Sequence, residues 1–226
     1  MSSKKIIGLL GGTFDPIHFG HLRCALELYQ AFEMKEMRLI PSHIPPHRQT
    51  PKASADHRLQ MMLLATQQTP FSVDESEFHR AGPSYSVETI LGCRQRFPQE
   101  PLCLILGMDA FLKILSWHQW EKLLELSNMI IVPRAGWNAP QSGVLADLLT
   151  HHTLAPHEKI SDYRAGKIVQ QSVTPLGISA SFIRSLTAAG QSTRFLLPDP
   201  VRRYIRKYSL YSQDSITDPI HQEVVH

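Results

Sequence analysis

Ile6-Ile7-Gly8-Leu9-Leu10-Gly11-Gly12-Thr13-Phe14-Asp15-Pro16-Ile17-His18-Phe19-Gly20-His21 is the stretch that decides the fold. Residues 6–10 are short, apolar and in part β-branched, which suits a strand buried on both faces. Residues 22–32 then carry apolar side chains at helical spacing. The glycine-rich turn between them brings backbone amides and a helix N-terminus to one point, where orphan N–H groups and the macrodipole favour an anionic phosphate. With the helix starting near Phe19, His18 and His21 fall at neighbouring positions and each can donate to phosphate oxygens. Phosphate nearby in turn favours the protonated imidazole. Gly11, Gly12 and Gly20 leave room for a bulky polyanion to approach the backbone. The stretch therefore reads as a nucleoside-triphosphate site.

Other readings of the same residues fit less well. The dinucleotide fingerprint Gly-x-Gly-x-x-Gly is missing, and so is the Gly-Lys-Ser/Thr of the Walker loop. His18-x-x-His21 has a spacing seen in metal sites, but no third ligand pattern stands nearby, and the intervening Gly20 favours ligand approach over a closed cage. A glycine turn with incidental histidines is the bland alternative.

The composition narrows the class. A chain of 226 residues with a 42% hydrophobic fraction can bury a proper core, and we read one domain over residues 1–211. The net charge of +3, with histidines neutral, suits phosphorylated small molecules and falls short of a nucleic-acid footprint. Cys24, Cys93 and Cys103 show no Cys-x-x-Cys spacing and fit buried thiols in a reducing compartment. No apolar run approaches the ~20 residues needed to span a bilayer, so the expectation is a cytoplasmic protein with no membrane partner.

Strand-like runs at 6–10, 37–41, 71–73, 102–106, 129–132 and 168–173 alternate with helical stretches at 20–32, 55–67, 86–96, 117–126, 144–151, 179–188 and 200–208. This is the pattern of βαβ units. It predicts a doubly wound, Rossmann-like α/β parallel sheet with ligands at the carboxyl ends of the strands. Residues 41–51 form a long proline-punctuated loop after the second strand, expected to be ordered and functional. Residues 212–226 lack periodicity and are expected to be a partly disordered tail. His151, His152 and His157 read as a solvated helix end.

A second anion-binding pattern lies at Ile178-Ser179-Ala180-Ser181-Phe182-Ile183-Arg184. Ser179 is a good N-cap, and a hydroxyl-rich helix start with an arginine one turn on repeats the logic of the first site. Asp109 follows an apolar strand, and Trp117, His118 and Trp120 come after it on an expected short helix. Tyr85 and Ser86 stand at a turn, with Ser86 expected to cap the helix after it.

Gly-Thr-Phe-Asp-Pro-x-His-x-Gly-His resembles the signature of the nucleotidyltransferase superfamily related to class I aminoacyl-tRNA synthetases. Across about residues 6–211 the chain is similar to bacterial nicotinate-nucleotide adenylyltransferases. Residues 178–184 are similar to that family's Ile-Ser-Ser-Thr-x-Ile-Arg, with Ala180 in place of its second serine and Ser181 in place of its threonine. Pro45-Pro46-His47-Arg48 resembles Pro-Pro-His-Lys, and Pro83-Ser84-Tyr85-Ser86 resembles Pro-Ser-Tyr-Thr. Val132-Pro133-Arg134 is also similar to a family segment.

The resemblance implies attack by the phosphate of nicotinate mononucleotide on the α-phosphorus of ATP, giving nicotinate adenine dinucleotide and pyrophosphate, with Mg²⁺ held mainly through ATP phosphates and no protein metal site. It implies a catalytic set of His18, His21 and Arg184. ATP would meet Gly11, Gly12, Thr13, Phe14, His18, Gly20, His21, Ile178, Ser179, Ser181 and Arg184. Nicotinate mononucleotide would meet Thr13, Asp15, His47, Arg48, Tyr85, Ser86, Asp109, Trp117, His118 and Arg134, with the ring stacked on Trp117. Backbone N–H groups at expected helix starts near Ser86 and His118 would favour a carboxylate over an amide. The alternatives within this reading are transfer to nicotinamide mononucleotide and a non-catalytic nucleotide sensor of the same fold.

Overall fold

A computed structural model describes residues 5–45 and 50–212. Strands β1 (Ile7–Gly12), β2 (Glu36–Pro41), β3 (Phe71–Val73), β4 (Leu102–Gly107), β5 (Asn128–Val132) and β6 (Ile168–Gln170) form one parallel sheet in the order β3-β2-β1-β4-β5-β6. Between and after them run helices α1 (Phe19–Ala31), α2 (Ala55–Thr66), α3 (Ser86–Arg96), α4 (Met108–Phe111), α5 (Glu121–Leu126), α6 (Val144–His152), α7 (Ala180–Ala188) and α8 (Asp199–Lys207).

Strands with apolar residues at consecutive positions feed two cores at once. In β4, Cys103 and Ile105 enter one core while Leu102, Leu104 and Leu106 enter the other. Leu22, Ala25 and Leu28 of α1, Met61 and Met62 of α2, Ile183 of α7, and Val201 and Ile205 of α8 close the first core. Val87 and Ile90 of α3, Phe111 of α4, and Leu123 and Leu124 of α5 close the second. Helices thus cover both faces, as a doubly wound sheet requires.

β1 lies between β2 and β4. The chain first winds outward from β1 to β3, then returns through α3 to β4 and winds outward the other way. Connections therefore leave the carboxyl ends of β1 and β4 in opposite directions, and the crevice between them is where such sheets hold ligands. The registers Gly12↔Pro41 and Gly107↔Val132 show how the strand ends line up along this edge.

Local departures from the sequence expectation have local causes. β1 runs on to Gly12 because it stays paired with Pro41. β6 stops at Gln170, where its register with Ile131 ends. The expected helix over 117–126 begins only at Glu121, since Gln119 takes a positive φ of 51° and breaks the turn before it. Ser86 is the first residue of α3, and the N-cap is Tyr85, which makes no side-chain cap bond. Of the expected tail, residues 213–226 lie outside the described residues.

Candidate active site

His18 is the N-cap of α1, in an extended conformation, and its Nδ1 accepts a hydrogen bond from the Gly20 amide at 3.1 Å. An accepting Nδ1 leaves the proton of the neutral ring on Nε2, so His18 presents a donor away from the helix. Burial, reinforced by the positive charge of Arg134, lowers its pKa from 6.5 to about 4. In the protein without ligand this opposes the expectation of a protonated imidazole: His18 is a neutral donor. His21 stacks on it with ring centroids 3.8 Å apart, and Phe14 meets His21 in a T-shaped contact with centroids 4.9 Å apart. Phe14 takes φ 48° to place its ring there.

Two of the glycines serve these rings. A Cβ on Gly20 would lie 2.9 Å from the His18 ring, and one on Gly12 would lie 3.0 Å from the Phe14 ring. Of Gly11, Gly12 and Gly20, only Gly11 faces open space, as polyanion approach requires. The backbone O of Thr13 accepts from Arg58 at 2.9 Å.

The second motif folds onto the first. Ser179 caps α7, its Oγ accepting from Phe182 N at 3.2 Å, and lies 3.1 Å from the Oγ of Ser181. The carbonyl oxygen of Ile178 stands 3.4 Å from where a Gly20 Cβ would be. Arg184 donates to the Asp15 carbonyl at 2.7 Å and lies 3.8 Å from its carboxylate. Both hydroxyl-bearing and guanidinium parts of this helix therefore stand beside the α1 N-terminus.

Asp15 has a different surrounding from a ligand-facing carboxylate. It is buried, and its oxygens accept from Lys52 N at 2.8 Å, Ala53 N at 3.1 Å and the Tyr211 hydroxyl at 2.7 Å. Burial, and then the charge and bond of Asp15, push the Tyr211 phenol well above its ordinary range, so it remains a donor. Asp15 thus pins three distant segments together under the turn.

On the opposite side of the crevice, β4 and β5 deliver Asp109 and Arg134, paired at 3.2 Å. They close over Gly107, where a Cβ would fall 2.4 Å from Asp109 Oδ1 and 3.1 Å from Arg134 Nε. Tyr85 and His118 bring their rings to 4.4 Å. Trp117 is half-buried against the second core, as is Trp120. His118 stands in the turn before α5, so its amide is not at a helix start as expected, whereas that of Ser86 opens α3. His47 and Arg48 lie outside the described residues.

Sequence reasoning assigned no role to two residues here. Ser84 is buried, and its Oγ accepts from His43 N at 2.9 Å and Ile44 N at 3.2 Å, which ties the loop after β2 to the Tyr85 segment. Arg58 is fully buried and donates to the carbonyls of Thr13, Ser42 and His43. Its signal was its position: it shares a helical face with the buried Met61, Met62 and Ala65.

Among the described residues, no group of three or more His, Cys, Asp or Glu side chains is placed to hold a metal ion, and no helix is long and apolar enough to cross a membrane.

The Cytidylyltransferase-like family pattern matches residues 9–185. An Aeromonas salmonicida protein named "Probable nicotinate-nucleotide adenylyltransferase" is 43% identical over 212 residues, 93% of this chain and 99% of its own length. A Hahella chejuensis protein of the same name is 45% identical over 214 residues, 93% of this chain and 98% of its own. The solved structure of Plasmodium falciparum nicotinic acid mononucleotide adenylyltransferase complexed with NaAD superposes with a TM-score of 0.69 at 18% identity, covering 92% of this chain and 97% of that one. At that identity the likeness speaks to the fold.

Proposed function

Because the chain belongs to the cytidylyltransferase-like family and, within it, to the nicotinate-nucleotide adenylyltransferases, we propose that it transfers the adenylyl group of ATP to nicotinate mononucleotide. The products are nicotinate adenine dinucleotide and pyrophosphate. Beyond family membership, one observation carries this reading: the His18–His21 turn and the Ser179–Arg184 helix meet at the carboxyl end of β1, facing Asp109, Arg134 and Tyr85 across the switch point.

In the reaction an oxygen of the mononucleotide phosphate bonds to the α-phosphorus of ATP, while the bond from that phosphorus to the α–β bridging oxygen breaks and its electrons leave with pyrophosphate. A phosphate monoester is already ionised at neutral pH, so no protein base is needed. Catalysis reduces to holding anions in line and stabilising charge on the leaving group. The Nε2–H of His18 and the positive end of the α1 dipole are suited to that charge, His21 backs the His18 ring, and Arg184 bounds the far side. Asp15 acts here through the backbone it organises.

The half-buried face of Trp117 and the Tyr85–His118 ring pair suit a flat pyridine, with the α3 amides as donors to its carboxylate. Asp15 and Asp109 are both engaged within the protein, which fits Mg²⁺ held through triphosphate oxygens, where it supplies charge neutralisation. We take residues 1–211 as one catalytic unit in the cytoplasm. Pyrophosphate release from ATP, measured with nicotinate mononucleotide, nicotinamide mononucleotide and phosphopantetheine supplied separately, tests the assignment. Release with the first well above the others is expected, and release with none of them overturns it.

A further inference from the structure

Arg58 occupies the place of a core hydrocarbon. It lies on the α2 face whose other members, Met61, Met62 and Ala65, fill the first core, yet it is 1% exposed and heads the largest fully buried side chains among the described residues. Burial lowers its pKa, against the opposing pull of Asp15, Tyr211 and Glu77. A guanidinium in such a place is costly unless its donors are used, and here both terminal nitrogens are bonded while the buried Nε has no hydrogen-bond partner among the described residues.

Its donors join two loops. One nitrogen reaches the Thr13 carbonyl at 2.9 Å and the Ser42 carbonyl at 2.6 Å, and the other reaches the His43 carbonyl at 3.0 Å. Thr13 belongs to the turn that leads to His18. Ser42 and His43 belong to the loop after β2, which is stitched to the same turn by Ser42 N to Gly12 O at 2.9 Å. That loop is also stitched to the Tyr85 segment, through Ser84 Oγ and through Ser84 N to Ile44 O at 2.9 Å. The triphosphate turn is therefore joined to the acceptor-side segment through this loop by two links, the Gly12–Ser42 backbone bond and the Arg58 side chain. In-line transfer between two bound anions is sensitive to displacements of about 1 Å.

We propose that Arg58 is a positioning residue that sets the separation of the triphosphate turn from the acceptor-binding segment around Tyr85. A planar fork is required, because two terminal nitrogens divide the three carbonyls between them, whereas a lysine ammonium presents all its donors from one nitrogen. This inference rests on the reaction assigned above.

The test compares Arg58→Lys, Arg58→Gln and Arg58→Ala with the wild type. The readouts are kcat, the two Michaelis constants, and calorimetric titration of ATP and of nicotinate mononucleotide separately. The expected result is a kcat reduced at least ~30-fold and acceptor affinity weakened about tenfold, with ATP affinity changed less than about threefold, since His18 and the α1 amides stay in place. A cavity of about 300 Å³ lined in part by His43, Ala53, Ser54 and Arg58 adjoins the site, so millimolar guanidinium should enter and partly restore kcat in Arg58→Ala. Equal sodium chloride or urea should not restore it. Variants that melt earlier yet keep wild-type kcat and both affinities overturn the proposal, as does equal weakening of the two ligands. If Arg58→Ala does not fold, the same split in Arg58→Lys decides. Wild-type protein that binds both ligands without releasing pyrophosphate overturns the reaction, and the titrations then judge Arg58 by themselves.

Discussion

His18 and His21 stack with centroids 3.8 Å apart and ring planes 27° from parallel, and the Nδ1 of His18 accepts from the Gly20 amide. With Nδ1 accepting, the neutral His18 ring carries its proton on Nε2.

Loss of that donor should cost rate before affinity. In His18→Ala and His21→Ala, kcat should fall on the order of 100-fold or more, with a smaller change in the acceptor Michaelis constant. Steady-state kinetics at saturating ATP check this, and a wild-type kcat in either variant removes the imidazoles from the chemistry.

The depressed pKa of His18 has a sign that can be tested in stability. The unfolded chain takes up this proton near 6.5 and the folded protein only near 4, so between those values the unfolded state binds more protons and stability falls as pH falls. The full effect is up to about 3 kcal/mol, complete once pH is below both values and fully recovered above 6.5. Urea denaturation from pH 7.5 to 4 should show a shallower loss in His18→Asn, which keeps an N-cap acceptor without a titrating ring. An identical slope in the variant would contradict the assignment. Turnover by the neutral donor should likewise show no decline as pH rises from 7 to 8.5.

Arg184→Ala should have two effects at once. The apparent Michaelis constant for ATP should rise more than that for the acceptor, and stability should drop by about 1–3 kcal/mol because the buried Asp15 loses a charged neighbour and its carbonyl loses a donor. Thermal melts and kinetics on the same preparation check both, and a loss shared equally by the two substrates would make Arg184 purely structural.

Gly107→Ala places a methyl where Asp109 Oδ1 would be 2.4 Å away. The neighbours it meets are ends of partly exposed side chains, so the Asp109–Arg134 pair should be pushed aside with little change in melting temperature. Acceptor kcat/KM should fall at least about tenfold, since small misplacements of positioning groups are costly. Retained efficiency would show that the pair has no role toward the mononucleotide.

Preference for the acid over the amide is expected at about tenfold or more in kcat/KM, lower than two donor sets would give, because Ser86 opens a helix and His118 does not. One buried donor left facing an amide NH₂ costs about 1–3 kcal/mol. Equal efficiencies would argue against a carboxylate pocket at Ser86.

Much of this was legible in the sequence because it is written in local patterns. The strand-turn-helix of residues 6–21 and the capped start of α7 need only periodicity and cap chemistry to be read. That the two motifs touch, Gly20 against Ile178, follows from sheet order, which periodicity does not contain. The role of Gly12 and Gly20 depends on where Phe14 and His18 turn their rings, a tertiary matter. Helical spacing suggested a start at Trp117, but the positive φ of Gln119 leaves no signature in apolar periodicity. Arg58 acts on backbone carbonyls, which are the same in every sequence, and so carried no motif; Ser84 stands in a recognisable segment, but its bonds to the His43 and Ile44 amides are tertiary.

The bond from Tyr211 to Asp15 spans nearly the whole described chain. The first turn to emerge during synthesis is thus completed by a side chain that is translated almost two hundred positions later. Until that residue arrives, a nascent chain has its central strand and glycine turn but lacks one of the bonds that fix Asp15. Premature termination upstream of Tyr211 should yield folded but poorly competent protein, and a bulky fusion abutting that residue should interfere with a site that is distant from it in sequence yet adjacent in space.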